Sequence, residues 1–247
     1  MSKALKLFGI IALAAVIGLS FASCGGSSSP AGNGGITPVP PPANATSAPL
    51  GASISLGGEV VVWDWVWDPV FNGWRLGLVP FTQIFSEALT VTSSFTTGTI
   101  DIGGNFSMTL GTPPMNSRFP LSLWLATLAA EGFTNINASN PNIDFFYIHR
   151  FPIAGRSNSL YYARDREWMG ASYDEDVVYI WVSEPTTITA YGVTWDGFRL
   201  NGINMAFQEG WNAILLTQRE GFGGGITMSF FALPPSLDGF QWKLRGD

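Results

Sequence analysis

The sequence is poor in cysteine, histidine and charged residues, and each shortage excludes a class of protein. Its 247 residues include one cysteine and one histidine, and only 12% of them are charged, against about 25% in ordinary soluble proteins. A single cysteine cannot close an intrachain disulfide, and it leaves no Cys/His cluster that could hold zinc. The net charge of −6 should repel phosphate backbones, so we expect no nucleic-acid partner.

Glycine and aromatic residues are abundant instead. The chain holds 29 glycines, 10 tryptophans and 18 phenylalanines. Low charge together with many aromatic residues and glycines favours a packed, turn-rich β protein over a disordered chain or long charged helices.

Residues 1–23 have the layout of a secretory signal peptide. A short segment carrying Lys3 and Lys6 precedes the apolar run Leu7–Leu19, and mostly small residues follow. The apolar run is shorter than the ~20 residues of a membrane-spanning helix. We therefore expect residues 1–23 to direct export rather than to span a bilayer.

The end of this segment carries the sole cysteine. Phe21-Ala22-Ser23-Cys24 resembles the lipobox of bacterial lipoproteins. The resemblance implies that the Cys24 thiol receives a diacylglycerol, that the signal peptide is cut before Cys24, and that the new amino group is acylated. Membrane lipid would then be a partner, and Gly25, in place of an Asp, favours the outer membrane or the cell surface. The alternative is a chance cysteine beside an ordinary cleavage site.

Residues 24–54 are predicted to form the lipidated cysteine and a flexible linker. The stretch Gly25–Ser53 has no charged and no aromatic residue and is rich in Gly, Ser and Pro. Such a composition cannot bury enough apolar surface to order itself. We expect a spacer that holds the domain of residues 55–247 clear of the membrane.

Residues 55–247 are predicted to form a single all-β domain, an antiparallel β-sandwich or barrel with one short helix. Period-two alternation and short gaps of Gly, Asn, Asp or Pro predict ten or more strands, among them Ile143–Arg150, Val177–Val182 and Gly197–Phe207. A hairpin is expected over Thr99–Leu110. Leu121, Trp124 and Leu128 recur at helical spacing before Gly132, so a short helix is expected there.

Four tryptophans form the first candidate site. Trp63, Trp65 and Trp67 alternate on one face of a predicted strand, and Trp74 lies on the returning strand. Burial in the core of a large sheet is the expected arrangement, because aromatic side chains dominate such cores. The alternative is a flat platform on which a sugar ring stacks, with these four as ligand-binding residues.

Asp174, Glu175 and Asp176 form the second candidate site. Clustered carboxylates suit calcium, which takes about six to eight oxygen ligands. The EF-hand spacing is missing, however, so three solvated residues in a loop between strands are the expected arrangement, with a calcium site as the alternative. No cofactor is predicted.

The sequence therefore favours a binding module or envelope component, for a glycan or an envelope protein, over an enzyme. The alternative is a hydrolase of envelope or extracellular polysaccharide, which needs two carboxylates across a cleft. Glu167, Asp174, Glu175 and Glu184 supply the residue types. His149 lacks a partner motif for a catalytic triad and is expected to be an ordinary structural or surface histidine.

Overall fold

The structure is a computed structural model that describes residues 37–42, 47–70, 72–168, 171–195, 198–220, 226–233 and 237–245. Within these residues the fold is all-β with two α-helices, of which one is a single turn, and one short 3-10 helix (Met115–Ser117). The α-helices are α1 (Phe81–Ile84) and α2 (Leu121–Ala130). The strands, in chain order, are β1 (Thr37–Val39), β2 (Ala48–Gly51), β3 (Ile54–Asp68), β4 (Gly73–Pro80), β5 (Leu89–Thr92), β6 (Thr97–Ile100), β7 (Asn105–Leu110), β8 (Phe119–Pro120), β9 (Thr134–Ala138), β10 (Asp144–Ile148), β11 (Phe151–Pro152), β12 (Ser159–Trp168), β13 (Ala171–Val182), β14 (Thr186–Trp195), β15 (Phe198–Leu200), β16 (Ile203–Phe207), β17 (Gly210–Glu220), β18 (Ile226–Ala232) and β19 (Gln241–Arg245).

The strands form one large, open sheet that folds over itself into a sandwich-like arrangement. Its pairs are antiparallel except β15–β18 and β19–β3. Strand β3 pairs with β7 through residue 59 and with β19 from residue 60. Strand β14 changes partners in the same way, from β16 and β9 to β15 and β1. These two long strands therefore connect the central part of the sheet to the parts that cover it.

The central strands bury both of their faces. On β13, Val177, Tyr179 and Trp181 belong to one core cluster, whereas Val178, Ile180 and Val182 belong to a second. Successive side chains of a strand point to opposite faces, so the sheet separates two cores. Strands β3, β5, β6 and β7 contribute further side chains to the first core. Helix α2 packs over the second core.

The predicted hairpin and the predicted helix are confirmed. Strands β6 and β7 pair antiparallel within the expected range, and α2 buries Leu121, Trp124 and Leu128. Gly132 follows the helix with φ +100°, a backbone conformation that glycine adopts without strain. Within the described residues, no helix is long and apolar enough to cross a membrane.

The prediction of a flexible linker over residues 24–54 is wrong for its second half. Strand β1 pairs with β14, and β2 pairs with β17. The Asn204 amide donates a 2.7 Å hydrogen bond to the Pro42 carbonyl, and the Ser47 hydroxyl donates to the Ala206 carbonyl. The extended backbone that proline favours also suits edge pairing, so the folded domain includes residues 37–42 and 47–54.

Candidate functional site

Strands β3 and β4 form a hairpin arm. Residues 61–63 of β3 pair with β19 on one side and β4 on the other, whereas residues 64–68 pair with β4 alone. The outer half of the hairpin is therefore a two-stranded ribbon beyond the main sheet. Trp67 lies directly opposite Trp74 in this ribbon, so both indoles lie on the same face as Trp65.

This face, which we call the tryptophan face, consists of Trp65, Trp67 and Trp74. Their exposed fractions are 60%, 50% and 66%. The expectation that they lie in the core is wrong, because no described part of the chain forms a second layer over this side of the ribbon and the three indoles are exposed. The rings of Trp67 and Trp74 meet edge to face, with centroids 5.8 Å apart and planes at 75°.

Trp63 lies at the base of the arm and differs from the other three tryptophans. It is half-buried, and the Lys243 ammonium lies 5.9 Å from its ring centroid. Lys243 is only 1% exposed, and a cation near an indole face is attracted by the ring quadrupole. Trp63 therefore joins the arm to the sheet rather than extending the exposed face.

Two carboxylates of the arm accept hydrogen bonds from nearby backbone amides. The Asp68 side chain is buried and accepts a 2.9 Å hydrogen bond from the Val70 amide. Asp64 accepts a 2.7 Å hydrogen bond from the Trp65 amide. Local bonds of this kind favour one backbone conformation, so the tryptophan face is presented on a defined scaffold.

The acidic residues Asp174, Glu175 and Asp176 lie in β13 rather than in a loop. This strand is paired on both sides, with β12 and β17, and strand alternation points Glu175 to the opposite face from its two neighbours. Glu175 is buried and accepts a 2.6 Å charge-assisted hydrogen bond from Arg164. The expectation of a solvated loop is wrong, and the geometry separates the three carboxylates that calcium would need together.

The structure describes the side chain of one of the other two acidic candidates. Glu184 is exposed and accepts a 3.0 Å hydrogen bond from the Asn140 amide, and the Glu167 side chain lies outside the described atoms. Among the described residues, no three His, Cys, Asp or Glu side chains gather in a way that could hold a metal ion.

A pocket lies between α2 and the central sheet. Its volume is about 80 Å³, which is small compared with the ~300–1,000 Å³ typical of sites for drug-sized ligands. Inward side chains of β10, β13, β17 and β18 form its floor, among them Phe145, Ile180 and Ile214. Trp124 stacks on Phe145 with centroids 5.0 Å apart and closes one side.

The end of α2 shapes the mouth of this pocket. The Phe133 amide donates to the Leu128 carbonyl and the Gly132 amide donates to the Ala129 carbonyl, which is the double bond pattern of a Schellman motif. The motif turns the chain sharply, so Phe133 packs back beside Leu128 and both line the pocket. Glu131, in the middle of this turn, lines it too.

Four lining residues carry polar side chains: Thr127, Glu131, Tyr147 and His149. All four are half-buried. Within the described part of the chain, Glu131, Tyr147 and His149 form no side-chain hydrogen bond to another residue. The surface that faces the pocket is nevertheless almost entirely apolar, so the polar atoms of these side chains contribute little to it.

Burial shifts these groups toward their uncharged forms. Desolvation lowers the pKa of His149 to about 4, with a smaller contribution from the positive charge of Arg150. Desolvation also raises the pKa values of Glu131 and Tyr147. At neutral pH His149 and Tyr147 are thus uncharged.

His149 is the site residue that the sequence argument assigned to a structural role. Its alternation with Tyr147 on a strand was visible in the sequence, and this spacing does place both rings on the pocket face of β10 and the residue after it. What the sequence could not show is that α2 and the more distant strands β13, β17 and β18 surround a space over that face.

Cys24 and the signal segment lie outside the described residues. Compared with models of known protein families, with curated proteins and with solved structures, the chain gives no match. The functional argument therefore depends on the sequence and on the geometry above.

Proposed function

We propose that this protein is an exported bacterial lipoprotein, held by an acylated Cys24 in the outer membrane or at the cell surface, whose β domain binds glycan on the tryptophan face. The observation that carries the proposal is the exposure of Trp65, Trp67 and Trp74, which are all at least half exposed on one side of a projecting arm. Large exposed aromatic groups on a soluble surface mark interaction sites, since leaving them in water is unfavourable.

The chemistry of the arm favours a neutral, flat ligand over an anionic surface. Indole rings offer broad apolar faces for the C–H face of a sugar. The hairpin carries the carboxylates Glu59, Asp64 and Asp68 against the single guanidinium of Arg75. An anionic bilayer would be repelled by this balance, whereas an uncharged polysaccharide would not.

The geometry of the arm also favours binding of an extended chain of sugars. Side chains two residues apart on a strand are separated by about 7 Å, so Trp65 and Trp67 present successive surfaces along the arm. Trp74 adds a ring at an angle of 75° to that of Trp67. A scaffold that already holds its rings in place loses less conformational freedom when a ligand binds.

A glycan array tests the binding site. The full chain should bind one or more polysaccharides on the array, and Trp67→Ala with Trp74→Ala should remove that binding. Phe231→Ala is the matched control, because Phe231 is an aromatic residue 48% exposed on β18, outside the arm. Equal loss in the control, or binding that survives the double substitution, would place the ligand elsewhere.

Metabolic labelling with radioactive palmitate tests the anchor. The wild-type chain should incorporate label and fractionate with membranes, because two or three acyl chains hold a protein on a bilayer far more firmly than one. Cys24→Ala should remove both properties. If Cys24→Ala incorporates as much label as the wild type, the acyl group is attached elsewhere and Cys24 is not the site of acylation.

A further inference from the structure

One end of the central sheet carries exposed arginines beside the first described strand. We propose that this end contacts the phosphate groups of anionic lipids in the anchoring membrane, so that Arg199 and Arg219 hold the domain with the β3–β4 arm pointing away from the bilayer. The proposal rests on the acylated Cys24 proposed above and adds a second, electrostatic contact with the same membrane.

The first argument is the row of residues that strand pairing places side by side at this end. Thr37 of β1 lies opposite Thr194 of β14, which lies opposite Arg199 of β15. Arg199 lies beside Thr227 of β18, and Thr227 lies opposite Arg219 of β17. We call this set of five residues the arginine row.

The chain between the arginine row and the proposed anchor is short. Residues 25–36 connect Cys24 to Thr37, and a chain of that length spans at most ~45 Å when it is fully extended. The row therefore stays near the bilayer. The length alone would let either face of the sheet turn toward the lipid, so the charges of the two faces decide the orientation.

The second argument is that both arginines lie on one face of the sheet. Leu200 and Met228 belong to the second core, so the residues before them, Arg199 and Thr227, point to the opposite face. Arg219 shares that face because it lies opposite Thr227. Both arginines are exposed, and we call this side the arginine face.

The acidic residues of β13 at the same end lie mainly on the other face. Asp174 and Asp176 share the face of Val178, which belongs to the second core. Glu175 lies on the arginine face, but it is buried and its charge is paired with that of Arg164. Among the described side chains of β13, β15, β17 and β18 at this end, the exposed charge is therefore positive on the arginine face and negative on the other.

Arg199 is oriented by a chain of hydrogen bonds. Its Nε atom donates a 2.8 Å hydrogen bond to the Asn201 side-chain oxygen, and the Asn201 amide donates a 2.6 Å hydrogen bond to the buried Ser229 hydroxyl. Within the described residues its guanidinium group forms no ion pair. Its remaining N–H donors suit a phosphate group, because the planar fork matches phosphate geometry.

The third argument is the position of the arm at the opposite end of the sheet. Strand β12 pairs at Ser159 with Arg245 of β19, which lies beside Trp63 at the base of the arm. Its residue Arg166 is in register with the arginine row through β13. These two positions on β12 are ~23 Å apart, and the arm continues away from the row because β3 runs antiparallel to β12. A domain that rests on its arginines therefore presents the tryptophan face beyond the membrane surface.

Fluorescence quenching on the full acylated chain tests the orientation in vesicles of phosphatidylcholine and phosphatidylglycerol that contain a lipid with a nitroxide on its head group. Cys24 is the sole cysteine and acylation blocks its thiol, so one introduced cysteine can carry a small fluorophore. Thr227→Cys reports on the arginine face, Gln218→Cys on the opposite face at the same end, and Asn72→Cys on the tip of the arm. We expect strong quenching at residue 227, weaker quenching at residue 218 and the least at residue 72.

Arg199→Gln combined with Arg219→Gln provides the specific variant. One basic residue near an anionic membrane surface is worth roughly fivefold, the equivalent of ~1 kcal/mol, so the ratio of contacting to non-contacting molecules should fall by about thirtyfold. Arg245→Gln is the matched control, because Arg245 is also exposed near a strand end but lies at the base of the arm; quenching at residue 227 should not change. Equal effects of the two variants, with both folded by circular dichroism, would refute the assignment.

Two further outcomes separate this proposal from the anchor. Equal quenching at residues 227 and 218, or an excess at residue 227 that persists in vesicles of phosphatidylcholine alone, would show that anionic lipid does not orient the domain. An acylated chain with either result leaves the anchor intact and overturns the orientation only. A chain whose Cys24 proves unacylated by mass spectrometry would overturn both proposals.

Discussion

Acid should destabilise this protein through His149. The imidazole has a pKa of about 4 in the folded chain because its surroundings desolvate the charged form, with the positive charge of Arg150 adding to the effect. In the unfolded chain the pKa returns to about 6.5. Between these two values the unfolded state binds more protons, so the free energy of unfolding falls as the pH falls from 6.5 toward 4.

The size of the effect follows from those two pKa values. Between pH 7 and pH 4.5 the linkage relation gives a loss of about 2 kcal/mol from this residue. Glu131 opposes this trend, because desolvation raises its pKa, and burial also raises the pKa of Tyr147, which titrates far above this range. A variant that lacks only the imidazole retains Glu131 and Tyr147, so their contributions cancel when its pH dependence is compared with that of the wild type.

Urea unfolding at pH 7 and pH 4.5 measures the difference. His149→Gln keeps a polar side chain but cannot titrate. The free energy of unfolding that it loses between pH 7 and pH 4.5 should therefore be about 2 kcal/mol smaller than the loss in the wild type. The quantity compared is the change between the two pH values, so a constant cost of the substitution cancels. Parallel pH dependence of the two proteins would refute the reasoning and show that His149 is hydrated in the folded state.

Two further predictions concern stability, and both are measured by urea unfolding. Glu175→Gln should cost about 3–5 kcal/mol, because it leaves the buried charge of Arg164 without its partner. Glu87→Gln removes an ion pair of the same 2.6 Å length with Arg156 but in solvent, and it should cost below about 1 kcal/mol; similar costs would contradict the burial argument. Trp211→Ala should cost about 3–5 kcal/mol because Trp211 is fully buried in the first core, and a cost below about 1 kcal/mol would show that the core is packed differently.

Most of the strands could be predicted from the sequence because each depends on a local pattern. Alternation over Ile143–Arg150 and Val177–Val182 indicated β10 and β13, and the helical spacing before Gly132 indicated α2. The strand predicted over Gly197–Phe207 is instead two strands, β15 and β16. Gly202 lies between them, so close to Pro40 that a Cβ there would come within 2.5 Å of the Pro40 carbonyl oxygen.

The errors share one physical origin, which is that they depend on partners distant in the chain. Composition predicted a flexible linker where β1 and β2 find sheet edges formed by residues far downstream. Alternation showed that the tryptophans share a face, but only the absence of a second layer over the described arm decides that this face is exposed. The acidic run was assigned to a loop because charge is rare in central strands, and Arg164 is what makes Glu175 compatible with one.

The pocket was beyond sequence reasoning for the same reason. Its floor combines side chains of β10, β13, β17 and β18, which are far apart in the chain. Trp124 stacks on Phe145, and the Schellman motif turns Phe133 back beside Leu128, so that all four side chains line the space. Protein interiors are close-packed, and an apolar void costs stability in proportion to its size. An apolar molecule that filled the space would restore the missing contacts and add its binding free energy to the stability of the fold.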